Sequence, residues 1–291
     1  MKAFSPKLVT FLFENKCNDV VSGRLSPFVF RPESLDQLPS VALGRIFGFL
    51  PQPDLLSCAR ASPTLAQVAV SKGFWREIDA SRFEPSALKT IVNGILPKVG
   101  RGVKRLAFRE CEDLHSGLFA AVLAAAPNVE EVDFSFSPVG DECFEKLPGG
   151  SLCKLRVLQL TGCRGLTDYG LRLLAHHWNF KNRAFRKLQA TDEGGLRELS
   201  LSGCDRVSTL DDLAAAKFAV RCLEYLDLSG CYALSGDSID RFVKHCVMLR
   251  PENLFYCDGI SDGPYADEAN GCANLDDEKR FCCLSRTAEE F

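Results

Sequence analysis

The chain holds 291 residues, 46% of them hydrophobic and 25% charged, the composition of an ordinary globular protein; that length suits one extended domain or two smaller ones. A net charge of −3 argues against nucleic acid as a partner, because such proteins carry a basic excess. No apolar run approaches the roughly 18 residues that span a bilayer, and the N-terminal LVTFLF (residues 8–13) stops at Glu14, too short for a secretory signal. These features imply an intracellular protein, cytoplasmic with the nucleus as a second compartment. Thiols stay reduced there, so its 14 cysteines are expected to be buried small residues, metal ligands or reactive groups.

Residues 1–34 read as an N-terminal extension, and residues 35–83 as a small helical domain. Pro39 suits the first turn of a helix. Leu43, Ile46, Phe47 and Leu50 then recur at i, i+3, i+4 and i+7, one apolar helical face. Pro51 and Pro53 end that helix, Asp54 is expected to cap the next, Ser62-Pro63 starts a third, and Gly73 stops it. Leu38-Pro39, Leu43, Ile46-Phe47, Leu50, Pro53, Asp54-Leu55-Leu56, Trp75 and Ile78 together resemble an F-box. Two positions depart from that family: Val41 stands where an acidic residue is usual, and Leu65 where a tryptophan is. The resemblance implies docking on the Skp-type adaptor of a cullin–RING ubiquitin ligase, with Leu38, Pro39, Leu43, Ile46, Phe47, Leu50, Leu55 and Leu56 as the adaptor-binding set.

Residues 84–257 repeat on themselves. LRVLQLTGC from Leu155, LRELSLSGC from Leu196 and LEYLDLSGC from Leu223 are strong copies. VKRLAFREC from Val103 and VEEVDFSFS from Val129 are weaker, and LRPENLFYC from Leu249 is a sixth. Alternation in L-x-x-L-x-L is that of a short strand with one buried face. A turn and a helix such as TDYGLRLLAHH complete each unit, and units that cannot bury their apolar side alone stack into a solenoid. The fold class is therefore α/β, a short helical F-box followed by a curved leucine-rich-repeat solenoid with a cysteine-rich cap. Cys111, Cys163, Cys204, Cys231 and Cys257 are read at one repeat position, the first four as buried turn fillers. Outward strand residues are expected to line a concave protein-binding face: Arg105, Arg109, Glu131, Asp133, Gln159, Thr161, Glu198, Ser200, Tyr225, Asp227, Asn253 and Phe255. One spacing of 41 residues implies an insertion between His176 and Gly195, basic and aromatic, either a partner contact or a surface loop.

Residues 258–291 form a cysteine-rich tail. Nine Asp/Glu against three Lys/Arg give it a charge of −6, leaving the rest of the chain at +3. Cys257, Cys272, Cys282 and Cys283 are spaced C-x14-C-x9-C-C, matching neither the paired C-x2-C of common zinc sites nor the plant-ferredoxin pattern. Four thiolates suit zinc or an iron–sulfur cluster alike, and on spacing alone the choice stays open. The wording FYCD, GPYAD, GC.N and CC closely resembles the C-terminal end of the iron-sensing F-box/leucine-rich-repeat family. What that resemblance implies is a [2Fe–2S] cluster on Cys257, Cys272, Cys282 and Cys283, shaping a surface that recruits iron-regulatory protein for degradation. It also implies a non-catalytic receptor, with ubiquitin transfer supplied by other subunits. Family members usually carry an N-terminal hemerythrin-like bundle. Here about thirty residues precede the F-box and all four histidines (His115, His176, His177, His245) follow it, so no di-iron site is expected. The alternative is a generic receptor of this architecture, with a zinc-bound or metal-free tail and another substrate.

Overall fold

The computed structural model describes residues 35–148, 151–152, 154–185 and 195–256. They form two compact units that divide between Phe74 and Trp75.

In the first unit, helices α1 (Ser40–Phe47), α2 (Gln52–Ala61) and α3 (Pro63–Ala69) follow one another, and α3 packs on both α1 and α2. Pro39 sits at the N-cap of α1 rather than in its first turn. Ser62 caps α3 as read from the sequence, accepting from the Leu65 amide at 3.2 Å with Pro63 following it. Two other boundaries differ. Pro51, not Asp54, is the N-cap of α2, and Asp54 lies inside its first turn, where a carboxylate still faces the positive end of the helix dipole. Helix α3 ends at Ala69 with Val70 as its cap, four residues before Gly73.

The second unit is a seven-stranded, all-parallel sheet whose spatial order follows the chain. Its strands are β1 (Glu77–Asp79), β2 (Arg105–Ala107), β3 (Glu131–Asp133), β4 (Val157–Gln159), β5 (Glu198–Ser200), β6 (Tyr225–Asp227) and β7 (Leu254–Phe255). Parallel neighbours in chain order require a crossover each time. These include α4 (Ser116–Ala125), α5 (Asp141–Glu145), α6 (Asp168–Phe185), α7 (Asp211–Ala215), α8 (Lys217–Val220) and α9 (Gly236–Val243). The central leucine row, Leu106, Val132, Leu158, Leu199, Leu226 and Leu254, is buried throughout. Burying each such side chain contributes about 1.5–3 kcal/mol, which is why the alternation is so regular. Phe119 of α4 closes on Phe134 (centroids 4.7 Å apart) and Phe144 (5.3 Å), filling the space between sheet and helices.

Strand β1 is an addition to the repeats counted from the sequence. Glu77 pairs with Arg105 and Ile78 with Leu106, so Trp75, Ile78 and Ala80 take the L-x-x-L-x-L positions in a stretch that sequence resemblance assigns to the F-box. Trp75 fills the first of them and is fully buried. The insertion read between His176 and Gly195 begins as helix: α6 runs on to Phe185, so its first ten residues are not a loop. Residues 186–194 lie outside the described part.

Candidate functional site

On the open face of the sheet, side chains of the expected binding row fall into two halves. Toward β2 and β3 the charges cancel within the chain. Arg105 Nε lies 3.6 Å from a Glu131 carboxylate oxygen, and Arg109 Nε 2.5 Å from Asp133. Toward β5–β7, Glu198 is exposed, and Tyr225 and Phe255 make a tilted aromatic pair with centroids 5.4 Å apart. Asp133, Ser200 and Asp227, read from the sequence as surface residues, are instead buried. Asp133 and Asp227 accept the amide hydrogens of Ser135 and Ser229, each at 3.0 Å. Short side chains folded back onto the backbone in this way lie beneath longer neighbours about 4.8 Å away on adjacent strands.

Three of the four repeat cysteines expected to fill buried turns, Cys163, Cys204 and Cys231, form a hydrogen-bonded ladder, whereas Cys111 is only half-buried. Cys163 Sγ–H donates to the Phe134 carbonyl at 3.4 Å, Cys204 to Leu160 at 3.2 Å and Cys231 to Leu201 at 3.1 Å. Ser137 holds the same position one repeat earlier and donates to the Phe108 carbonyl at 2.6 Å. Each link therefore ties a turn to the strand end of the preceding repeat. Burial pushes the Cys163 thiol up to about 12 and the Cys204 thiol well above its usual value, because a thiolate there would be desolvated. These thiols are structural donors and poor metal ligands, since a ligand must be deprotonated.

Strand register sets Leu226 against Leu254 and Asp227 against Phe255, a spacing of 28 rather than the 26 read from the sequence. The extra residues form the turn Pro251–Asn253. Cys257, Cys272, Cys282 and Cys283 themselves lie outside the described residues, as do the N-terminal extension and the acidic tail. Among the described residues, no group of three or more His, Cys, Asp or Glu could hold a metal ion.

In the helical unit, four of the residues read as adaptor contacts are buried: Leu43, Phe47, Leu55 and Leu56 are at most 4% exposed. They belong to the core that holds the helices, not to a contact surface. Leu38, Ile46 and Leu50 are half-buried and Pro39 is exposed. Val41 and Phe49, which helical periodicity passes over, are 71% and 64% exposed.

The F-box-like family model matches residues 35–81, and a leucine-rich-repeat model matches residues 151–175. Curated relatives include F-box/LRR-repeat protein 5 of Mus musculus, 43% identical over 222 residues, which is 74% of this chain and 30% of the relative. The chain belongs to the F-box/leucine-rich-repeat family. The Salmo salar protein of the same name is 43% identical over 91 residues, 31% of this chain and 13% of the relative, and that of Danio rerio 40% identical over 100 residues, 33% and 15%. The matched region of this F-box/leucine-rich-repeat protein thus spans less than a third of each of these relatives. Among solved structures, the yeast Rad7–Elc1 complex is similar at a TM-score of 0.28 with 13% identity, over 80% of this chain and 81% of that one, a likeness too low to carry a functional inference.

The helical unit and the repeat unit present different surfaces. The helical unit presents apolar side chains outward at Val41 and Phe49, and the repeat unit presents a polar open face ending in an aromatic pair. Exposed aromatic and aliphatic residues are the usual anchors of protein interfaces.

Proposed function

We propose that this chain is the substrate-recognition subunit of a cullin–RING ubiquitin ligase, working in the cytoplasm and nucleus, and that it recruits iron-regulatory protein for ubiquitination. The observation that carries this reading is the joint architecture: an F-box-like helical unit followed by a leucine-rich-repeat sheet, 43% identical to mouse F-box/LRR-repeat protein 5 over 74% of the chain. The helical unit docks on the Skp-type adaptor, and through it the cullin, using Leu38, Pro39, Ile46 and Leu50 with Val41 and Phe49 beside them. Leu43, Phe47, Leu55 and Leu56 hold that surface in shape from beneath. Ubiquitin transfer belongs to other subunits, so the chain contributes positioning alone.

Cys257, Cys272, Cys282 and Cys283 would hold a [2Fe–2S] cluster. The donor set fits: four soft thiolates suit it, and Cys163 and Cys204 do not compete, being buried with their thiol pKa values raised by desolvation. When bound, the cluster supplies ligand bonds whose free energy orders the residues that carry them. The chain's own part is electrostatic. The tail carries a charge of −6, so its partner surface is basic, and association slows as salt screens it.

Two measurements on anaerobically purified chain test the reading. It should bind purified Skp-type adaptor, and it should carry visible absorbance with two iron and two sulfide per chain. A colourless zinc-bearing protein that still binds adaptor would retain the receptor and remove the cluster. Failure to bind adaptor would remove the receptor.

A further inference from the structure

One turn, leading into a strand, is closed by the same backbone bond in five repeats. The amide of Val103 donates to the Gly100 carbonyl at 3.2 Å, Val129 to Ala126 at 3.1 Å, Leu155 to Leu152 at 3.2 Å, Leu223 to Val220 at 2.9 Å and Leu249 to Cys246 at 3.1 Å. Successive turns lie side by side: Asn128 Nδ2 donates to the Arg101 carbonyl at 2.9 Å, and Lys154 Nζ to Asn128 Oδ1 at 2.5 Å. Arg101-Gly102, Pro127-Asn128 and Arg221-Cys222 fill the two central positions of earlier turns, with no large aliphatic side chain among them. The last turn departs from this. It carries Val247 and Met248, 68% and 55% exposed. Cations stand beside them, Arg221 on the neighbouring turn and Lys244 and Arg250 on their own segment, all exposed. Arg221 forms no ion pair among the described residues. Lys244 and Arg250 each meet one carboxylate, Asp240 and Glu252, surface pairs that contribute little and so exchange readily.

We propose that this apolar, cationic turn is the dock for a segment of the chain's own tail, residues 275–278. That segment reads Leu275, Asp276, Asp277, Glu278, one apolar side chain for Val247 and Met248 and three carboxylates for the cations around them. Position favours it. The described chain stops at Tyr256, seven residues after Leu249. From there to Leu275 the chain can extend up to about 60 Å, far more than the return to the turn needs. Covalent attachment holds the segment at millimolar effective concentration, so weak surface contacts suffice. Strand β7 is also the edge of the described sheet, and the end repeats of such arrays need their outer apolar surface covered. The latch engages the same acidic tail that the proposed substrate contact draws on, so a basic partner competes with it. The inference goes beyond that proposal and stands without it.

The chain holds two methionines, Met1 and Met248, so methyl-labelled methionine gives the full chain two signals, assigned by Met248→Leu. The probe is a neutral soluble nitroxide, whose relaxation enhancement reports how open each methyl is to solvent. Asp276→Lys/Asp277→Lys/Glu278→Lys should raise the enhancement at Met248 roughly threefold, the scale of losing exposed ion pairs, and leave Met1 unchanged. Arg221→Glu should raise it as well while circular dichroism stays native, and Glu112→Lys, an exposed acid changed outside the tail, should not. A Met248 methyl as open in wild type as in the triple variant would overturn the proposal. Protection that fades on dilution would assign the cover to a second copy of the chain and overturn it equally.

Discussion

At Gly162 backbone conformation and packing both constrain the repeat. Its φ is +70°, a conformation that costs a residue bearing a Cβ roughly 1–2 kcal/mol. A Cβ there would also lie 2.5 Å from Cδ1 and 2.8 Å from Cε1 of the Phe136 ring. Phe136 itself occupies the equivalent position one repeat earlier, with φ +58°, so its ring has backbone strain and neighbours holding it in place. Over-packing of this sort typically costs a further 1–3 kcal/mol. Gly162→Ala should therefore destabilise the repeat unit by about 2–5 kcal/mol, lowering the urea midpoint by roughly 1 M at a slope near 3 kcal/mol/M. Glu110 supplies the control. It stands at the same repeat position with φ +51° and an exposed side chain, so Glu110→Gly should leave stability unchanged or raise it by up to about 1 kcal/mol. Equilibrium urea unfolding followed by far-ultraviolet circular dichroism measures both. A Gly162→Ala midpoint within about 0.2 M of wild type, a few tenths of a kcal/mol, would refute the reasoning.

Particular side chains give three other expected outcomes. Phe49→Asp should abolish adaptor binding in a pull-down while circular dichroism stays native, whereas Leu43→Asp, buried in the helical unit, should lose helix signal as well; normal binding by folded Phe49→Asp would remove it from the contact surface. Cys163 should resist maleimide at pH 8 in the folded protein, because a thiol raised to about 12 is thiolate in only about one molecule in 10⁴, and mass spectrometry should find it modified only after unfolding. His177 is buried, with Nε2 3.1 Å from the Phe144 carbonyl and Nδ1 without a partner, and burial lowers its pKa; its stabilising effect is complete above the unfolded value of about 6.5 and is lost as pH falls below it toward the lower folded value, so His177→Gln should flatten urea midpoints measured between pH 7.5 and 5.

What is legible in the sequence is what a period can carry. The leucine row repeats through Leu158, Leu199 and Leu226, and its burial is implied by alternation alone. Two features break the period and mislead. Trp75 takes a leucine position in β1, so pattern alone absorbs that strand into the preceding helices. Pro251 opens a turn that lengthens the approach to β7, so the strand at Leu254 follows its counterpart Leu226 by 28 residues rather than 26. The adaptor surface misleads for a different reason. Spacing of i, i+3, i+4 and i+7 finds the stripe a helix buries, so it selects Leu43 and Phe47, while Val41 and Phe49 fall off that stripe because they face outward. Asp133 and Asp227 look like surface charges because nothing in a local pattern reports a side chain folded back onto nearby amides.

Ubiquitin transfer to purified iron-regulatory protein, in a ligase reconstituted from adaptor, cullin, RING subunit and this chain, tests the central claim most directly. Wild-type chain should support conjugation. Cys272→Ser/Cys282→Ser/Cys283→Ser should lose it while still binding adaptor through the helical unit, because the proposed function assigns those cysteines to substrate capture and not to assembly. Conjugation by the triple variant at the wild-type rate would contradict the account.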